Sequence, residues 1–223
     1  MILEFKDVTK NYGSVSAVKD LSFKINEGDF VFITGPSGAG KTTILKLLTR
    51  QIKPSSGKII FDGKEVHNLK KSQIPKLRQS IGIVFQDFKL LSEKTIRENI
   101  EVALAIANIP SKEWKSRVDH VSNLVGLAER VDMFPAQLSG GELQRASLAR
   151  ALVVNPKVVF ADEPTGNLDW ETADGVMRLL MKINEEGKTV IITTHHKKIL
   201  KEFEERIITI KKGEIESDII HKD

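Results

Sequence analysis

The stretch "FVFITGPSGAGKTTILKLL", residues 30–48, constrains this chain more than any other. A short apolar run stops at a glycine, a small-residue loop follows, and a helical pattern opens at Lys41. The loop fits G-x-x-x-x-G-K-[ST] at Gly35, Gly40, Lys41 and Thr42. Its glycines let backbone N–H groups turn inward around phosphate oxygens. The start of a helix adds its positive end. Residues Gly35, Pro36, Ser37, Gly38, Ala39, Gly40, Lys41, Thr42 and Thr43 are therefore predicted to cradle the phosphates of a nucleoside triphosphate. Lys41 would reach the β and γ phosphates, and the Thr42 hydroxyl would ligate Mg²⁺. A strand before the loop and a helix after it place the chain in the α/β class.

Such a loop needs a carboxylate at the end of a neighbouring strand. "KVVFADEP" supplies one. Asp162 closes an apolar run and can hold Mg²⁺ through water. Glu163, next along an extended chain, can polarise a water for in-line attack. The base of the nucleotide is less marked. No Asn/Thr-Lys-x-Asp is present to read guanine. Tyr12, the only tyrosine, could stack on adenine by its face; a packed surface tyrosine is the competing reading.

A second glycine-rich helix start lies about a hundred residues on, at "LSGGELQRA", 138–146. Ser139 and Glu142 make S-x-x-E, a capping box. Gly140 and Gly141 then occupy the first helical positions, where glycine is poor for stability. Their use makes sense where something approaches the backbone closely, and a γ-phosphate would do.

Together these stretches resemble the ATP-binding cassette (ABC) ATPases. The family's marks occur in order: Tyr12 as the adenine-stacking aromatic, "GPSGAGKT", Gln86 in "VFQDF", "LSGGE", "VVFADE", Leu168-Asp169 in "GNLD", and His195 in "TTHH". The resemblance covers nearly the whole chain. It implies a P-loop NTPase ABC nucleotide-binding domain: a RecA-like mixed-sheet core with N-terminal antiparallel strands and an inserted helical subdomain. It implies ATP and Mg²⁺ as cofactors, with Thr42, Gln86 and Asp162 around the metal. Glu163 would be the catalytic base, and His195 would hold the γ-phosphate and water. It also implies an ATP-dependent homodimer, in which Ser139, Gly140 and Gly141 bind the neighbour's ATP and Asp169 lies at the seam. His196 departs from the family, where an acidic residue or asparagine is usual, so what orients His195 stays open.

Within the family, "GIVFQDFKLL" and "ADEPTGNLD" look most like members that serve cell division through a polytopic membrane protein. The lipoprotein-release and macrolide-efflux branches share much of the core. The resemblance places the chain peripherally, on the cytoplasmic face of a bacterial membrane. No apolar run approaches the length of a membrane span, so a membrane role must come through a partner. A soluble ABC protein acting on nucleic acid is a weaker reading. The net charge is only +4, and the basic stretch "KKSQIPKLRQS" (70–80) carries no aromatic residues and reads as solvated surface. No nucleic acid is expected. The absence of cysteine excludes a disulfide framework and thiolate metal sites.

Periodicity predicts strands in "ILEFKDV", "LSFKI", "FVFIT", "GKIIFDGKEV" and "IGIVF". A helical region follows from about 95 to 154, then "KVVFAD" as strand, 171–185 as helix, "KTVIITT" as strand and a closing hairpin in "RIITIKKGEI". The predicted lobes are a catalytic core, 1–86 with 157–223, and a helical signature lobe, 87–156.

Overall fold

The computed structural model describes residues 1–203 and 205–220. Residue 204 and the last three residues of the predicted 157–223 segment lie outside the described residues. The chain divides into two compact units, one formed by Met1–Arg78 with the segment from Asn184 onward, the other by Gln79–Ile183.

In the first unit, β1 (Leu3–Tyr12), β2 (Val15–Ile25), β4 (Ser56–Phe61) and β5 (Lys64–Glu65) form an antiparallel sheet in the order β2-β1-β4-β5. Alternation decides which face is buried: Leu3 and Phe5 of β1 are inside, as are Leu21, Phe23 and Ile25 of β2, and Val8 rejoins that face after a register shift at Asp7, φ 49°. Phe5 lies opposite Phe23, and their rings stack with centroids 4.7 Å apart. Asp62 and Gly63 both have positive φ, 50° and 70°. That is the two-residue turn an Asp-Gly pair favours, whose twist suits a hairpin.

The same unit holds β3 (Phe30–Thr34), which pairs in parallel with β8 (Thr189–Thr194) and β9 (Arg206–Lys211). β10 (Glu214–Ile219) closes antiparallel on β9. Phe30 through Ile33 are all buried; a parallel strand covered on both faces reads as a continuous apolar run rather than an alternation. α1 (Lys41–Leu48) follows β3 and buries Ile44, Leu45, Leu47 and Leu48. Each such side chain contributes roughly 1.5–3 kcal/mol. Two short helices, α2 (Ile74–Gln79) and α7 (Lys197–Glu202), complete the unit. α2 lies within the basic stretch, with Lys70 and Lys71 exposed ahead of it and Leu77 buried.

In the second unit, β6 (Ile81–Phe85) and β7 (Val158–Asp162) pair in parallel. The helices are α3 (Ile96–Ile106), α4 (Trp114–Leu124), α5 (Gly140–Leu152) and α6 (Trp170–Glu185). α3 starts with a capping box, Thr95 with Glu98, which satisfies two orphan N–H groups at once. α5 packs on β6, α3 and α4 with small buried residues, Ala146, Ala149 and Ala151, and so approaches closely. A Cβ added at Gly82 of β6 would lie 2.7 Å from the Ala151 carbonyl oxygen.

Candidate functional site

The first unit carries the phosphate loop. At Gly40, φ is 109°, a value that L side chains rarely adopt. An added Cβ there would meet the Ala17 carbonyl oxygen at 2.6 Å. Gly40 is also the N-cap of α1 and offers no side-chain cap, so no side chain competes with an anion for the first N–H groups. Lys41 is only 8% exposed. Its ammonium donates to the carbonyls of Gly35 (2.8 Å) and Pro36 (3.3 Å), and so crosses the mouth of its own loop. Tyr12 ends β1 and is 47% exposed, with the Lys10 ammonium 5.2 Å from the ring centroid. His195 follows β8. Its ring stacks on that of His196, centroids 4.7 Å apart at 29°, while the His196 N–H donates to Thr194 Oγ1 at 3.1 Å. The residue that departs from the family pattern therefore lies face to face with the predicted γ-phosphate ligand.

The second unit brings Gln86, Asp162 and Glu163 together. Phe85 pairs with Asp162 across β6 and β7, so Gln86 leaves its strand at the level of the two acids. Glu163 has φ 52°, a left-handed backbone that costs a non-glycine residue on the order of 1–2 kcal/mol. Such strain gathers at functional sites. Gln86 is clamped through its amide: Nε2 donates to Asn167 Oδ1 and Asn167 Nδ2 donates to the Gln86 carbonyl, both at 3.1 Å. The flat face of the clamp rests on Gly166, where an added Cβ would lie 2.6 Å from Gln86 Nε2. With Nε2 engaged, Oε1 is the atom left to face a cation. Within this unit the amide oxygen of Gln86 and the carboxylate of Asp162 are hard oxygen donors of the class that Mg²⁺ takes, and the Thr42 hydroxyl of the first unit is a donor of the same class. Among the described residues no group of three His, Cys, Asp or Glu could hold a metal by itself.

The signature also lies in the second unit. Ser139 caps α5 and completes the box with Glu142. Glu142 Oε2 accepts both the Ser139 N–H (2.8 Å) and its hydroxyl (2.7 Å). These bonds hold the Glu142 carboxyl below its usual range. The two glycines have a partner inside the chain. A Cβ at Gly141 would meet Thr172 Cγ2 at 2.3 Å, and one at Gly140 would meet Leu168 Cδ2 at 3.3 Å. Thr172 in turn donates its N–H and hydroxyl to Asp169, at 3.0 and 2.7 Å. Those bonds lower the Asp169 pKa. Close approach at Gly141 is thus used within the protein, by the first turn of α6. Gly141→Ala should cost about 1–3 kcal/mol of stability through overpacking, measured by thermal unfolding. Adding Thr172→Ser removes the obstructing methyl, keeps the hydroxyl on Asp169, and should recover most of the loss; no recovery would refute the contact.

Sequence reasoning missed Asn99, Arg150, Asn167 and Thr172. Asn99 is fully buried. It accepts the Leu91 N–H at 2.7 Å and donates to the carbonyls of Leu91, Lys94 and Thr95 at 2.9–3.1 Å, fixing the loop ahead of α3. Nothing local marks such a residue. Its partners are backbone atoms brought back by a turn.

The ABC transporter family model matches residues 18–166. The chain belongs to the ABC transporter ATP-binding family and is an ATPase. It is 45% identical over 218 residues to the cell division ATP-binding protein FtsE of Bacillus subtilis (strain 168), covering 97% of this chain and 96% of the relative. It is 39% identical to FtsE of Escherichia coli (strain K12), covering 99% and 100%. A dimeric structure of a bacterial ABC transporter cassette matches with TM-score 0.89 and 38% identity over 100% of both chains. A post-hydrolysis dimer bound to ADP and Pi matches with TM-score 0.88 and 36% identity, also over 100% of both.

Proposed function

We propose that this chain is the ATP-binding and hydrolysing subunit of an FtsEX-like complex in cell division. It works as an ATP-dependent homodimer, peripheral on the cytoplasmic face of the membrane, beside a polytopic partner resembling FtsX. Through that partner it regulates peptidoglycan hydrolysis. The observation that carries this reading is the 45% identity to an FtsE over 97% of this chain, supported by the order of the sequence motifs. No described helix is long and apolar enough to cross a membrane, so the coupling is assigned to a partner.

In this reading Tyr12 stacks on adenine, and the loop from Gly35 to Thr43 wraps the phosphates with its N–H groups. Mg²⁺ accompanying ATP would be held by Thr42, Gln86 and Asp162 and would neutralise charge on the β and γ phosphates. Glu163 takes a proton from the attacking water. His195 orients that water and the γ-phosphate. Ser139, Gly140 and Gly141 serve the neighbouring copy's ATP, so ATP bridges the dimer and its hydrolysis releases the bridge. The loop after Gln86 receives the membrane partner.

Purification of the tagged chain from membranes tests the reading. A co-purifying polytopic protein of the FtsX kind is the expected result. A lipoprotein-release or macrolide-efflux permease, or ribosomal RNA, would replace it. Phe88 is half-buried in the loop given to the partner. Phe88→Glu should cut recovery of the partner at least tenfold with ATP affinity unchanged; full recovery would remove the loop from the contact.

A further inference from the structure

The loop after Gln86 is held in a costly shape. Phe88 and Lys89 are consecutive non-glycine residues with φ 59° and 51°. Each left-handed residue costs on the order of 1–2 kcal/mol, and two in succession persist only where neighbours enforce them. Local bonds close the turn, Phe88 N–H to the Phe85 carbonyl and Lys89 N–H to the Asp87 carbonyl, and the group that holds it from outside is Arg150, in the last turn of α5. Its Nη1 donates to the Lys89 carbonyl at 2.6 Å and its Nη2 to the Phe88 carbonyl at 2.9 Å. Left-handed geometry turns these successive carbonyls toward one guanidinium, whose planar fork can serve both.

Arg150 is itself unusual. Burial alone pushes its pKa down, and among the described residues no carboxylate pairs with it. A partly desolvated cation without a counter-ion carries a cost that backbone acceptors must offset. Here it is spent on two backbone oxygens of one loop. Packing alone would be served by an apolar side chain.

The geometry points to Arg150 as a positioning residue that locks the loop after Gln86 to the helix whose other end carries Ser139, so that loop and signature shift as one piece. Ser139 and Arg150 are separated by eleven residues of helix, about 16 Å at 1.5 Å per residue. Asn167 grips the same loop two residues earlier, at Gln86. A push on Phe88 and Lys89 therefore acts on α5 through a short, charge-assisted clamp rather than through soft apolar contact. The inference deepens the proposed function and rests on its assignment of the loop to the partner and of Ser139 to ATP.

The test uses the full chain, with Arg150→Met, which keeps an apolar stem, and Arg150→Lys, which keeps a cation able to reach one carbonyl. ATP turnover is measured per folded molecule, beside amide exchange at residues 88–91. Arg150→Met should lower kcat at least tenfold with KM within threefold, because the phosphate loop is untouched, and should speed exchange at 88–91 at least tenfold. Arg150→Lys should recover a third or more of kcat. A kcat within twofold of the parent in Arg150→Met, or Lys no better than Met, would overturn the role. Exchange is read without ATP, so it decides the clamp even if the parent shows no coupling to a membrane partner, which would be a failure of the proposed function.

Discussion

Glu163→Gln lowers ATP turnover about a thousandfold and leaves ATP bound. A positioned general base contributes typically 10²–10⁴ in rate, and glutamine cannot accept the proton from water. The substitution is isosteric and should keep the backbone that Glu163 already adopts at φ 52°, so the loss belongs to chemistry and not to folding. Binding survives because the loop from Gly35 to Thr43, with Lys41 at its mouth, is untouched. In the proposed dimer the retained γ-phosphate keeps the bridge between copies, so dimer should accumulate by mass action. Single-turnover assays should show a slow chemical step, and light scattering with ATP should show a mass near twice that of the chain. Turnover within tenfold of the parent would remove Glu163 from the base position. Slow turnover with monomer alone would keep the base and discard the shared site.

Much of this was legible because the signals are local. The phosphate loop needs a strand, a glycine-rich turn and a helix in immediate succession, and β3, Gly35–Gly40 and α1 supply them within one short stretch. The capping box at Ser139 and the Asp-Gly turn at Asp62 are decided by residues no more than three apart. What stayed hidden depends on distance or on backbone strain. Arg150 finds Phe88 and Lys89 across 62 and 61 residues, and Gln86 finds Asn167 across 81. The close approach of Thr172 to Gly141 spans 31 residues and is hidden for the same reason. No propensity rule predicts a left-handed Glu163 or Phe88. The helices α2 and α7 were missed for another reason: six residues each, they are too short to show a period.

Lys41→Ala should raise the Kd for ATP at least a hundredfold. In the structure the Lys41 ammonium lies buried across its own loop, on the Gly35 and Pro36 carbonyls, where β and γ phosphates would meet it directly. A unit charge pair about 4 Å apart is worth roughly 1 kcal/mol in water and 4 kcal/mol near a protein surface. The phosphates carry several charges and Lys41 itself is only 8% exposed, so a loss of about 3–4 kcal/mol is expected, and each 1.4 kcal/mol is about tenfold in affinity. Removing the latch also frees the loop, which adds an ordering cost to every binding event. The two contributions separate by ligand. Adenosine, which offers only its base and sugar, should bind the variant as weakly as it binds the parent, because Tyr12 is unchanged. ATP should fall toward that same level. Calorimetric titration of both ligands decides the matter: ATP affinity within threefold of the parent would mean that the loop at Gly35–Thr43 does not hold the phosphates. A parallel loss for adenosine would mean that the variant is misfolded and the site untested by that change. In that case Lys41→Met, which preserves the buried stem, would carry the measurement, with the same hundredfold loss expected for ATP alone.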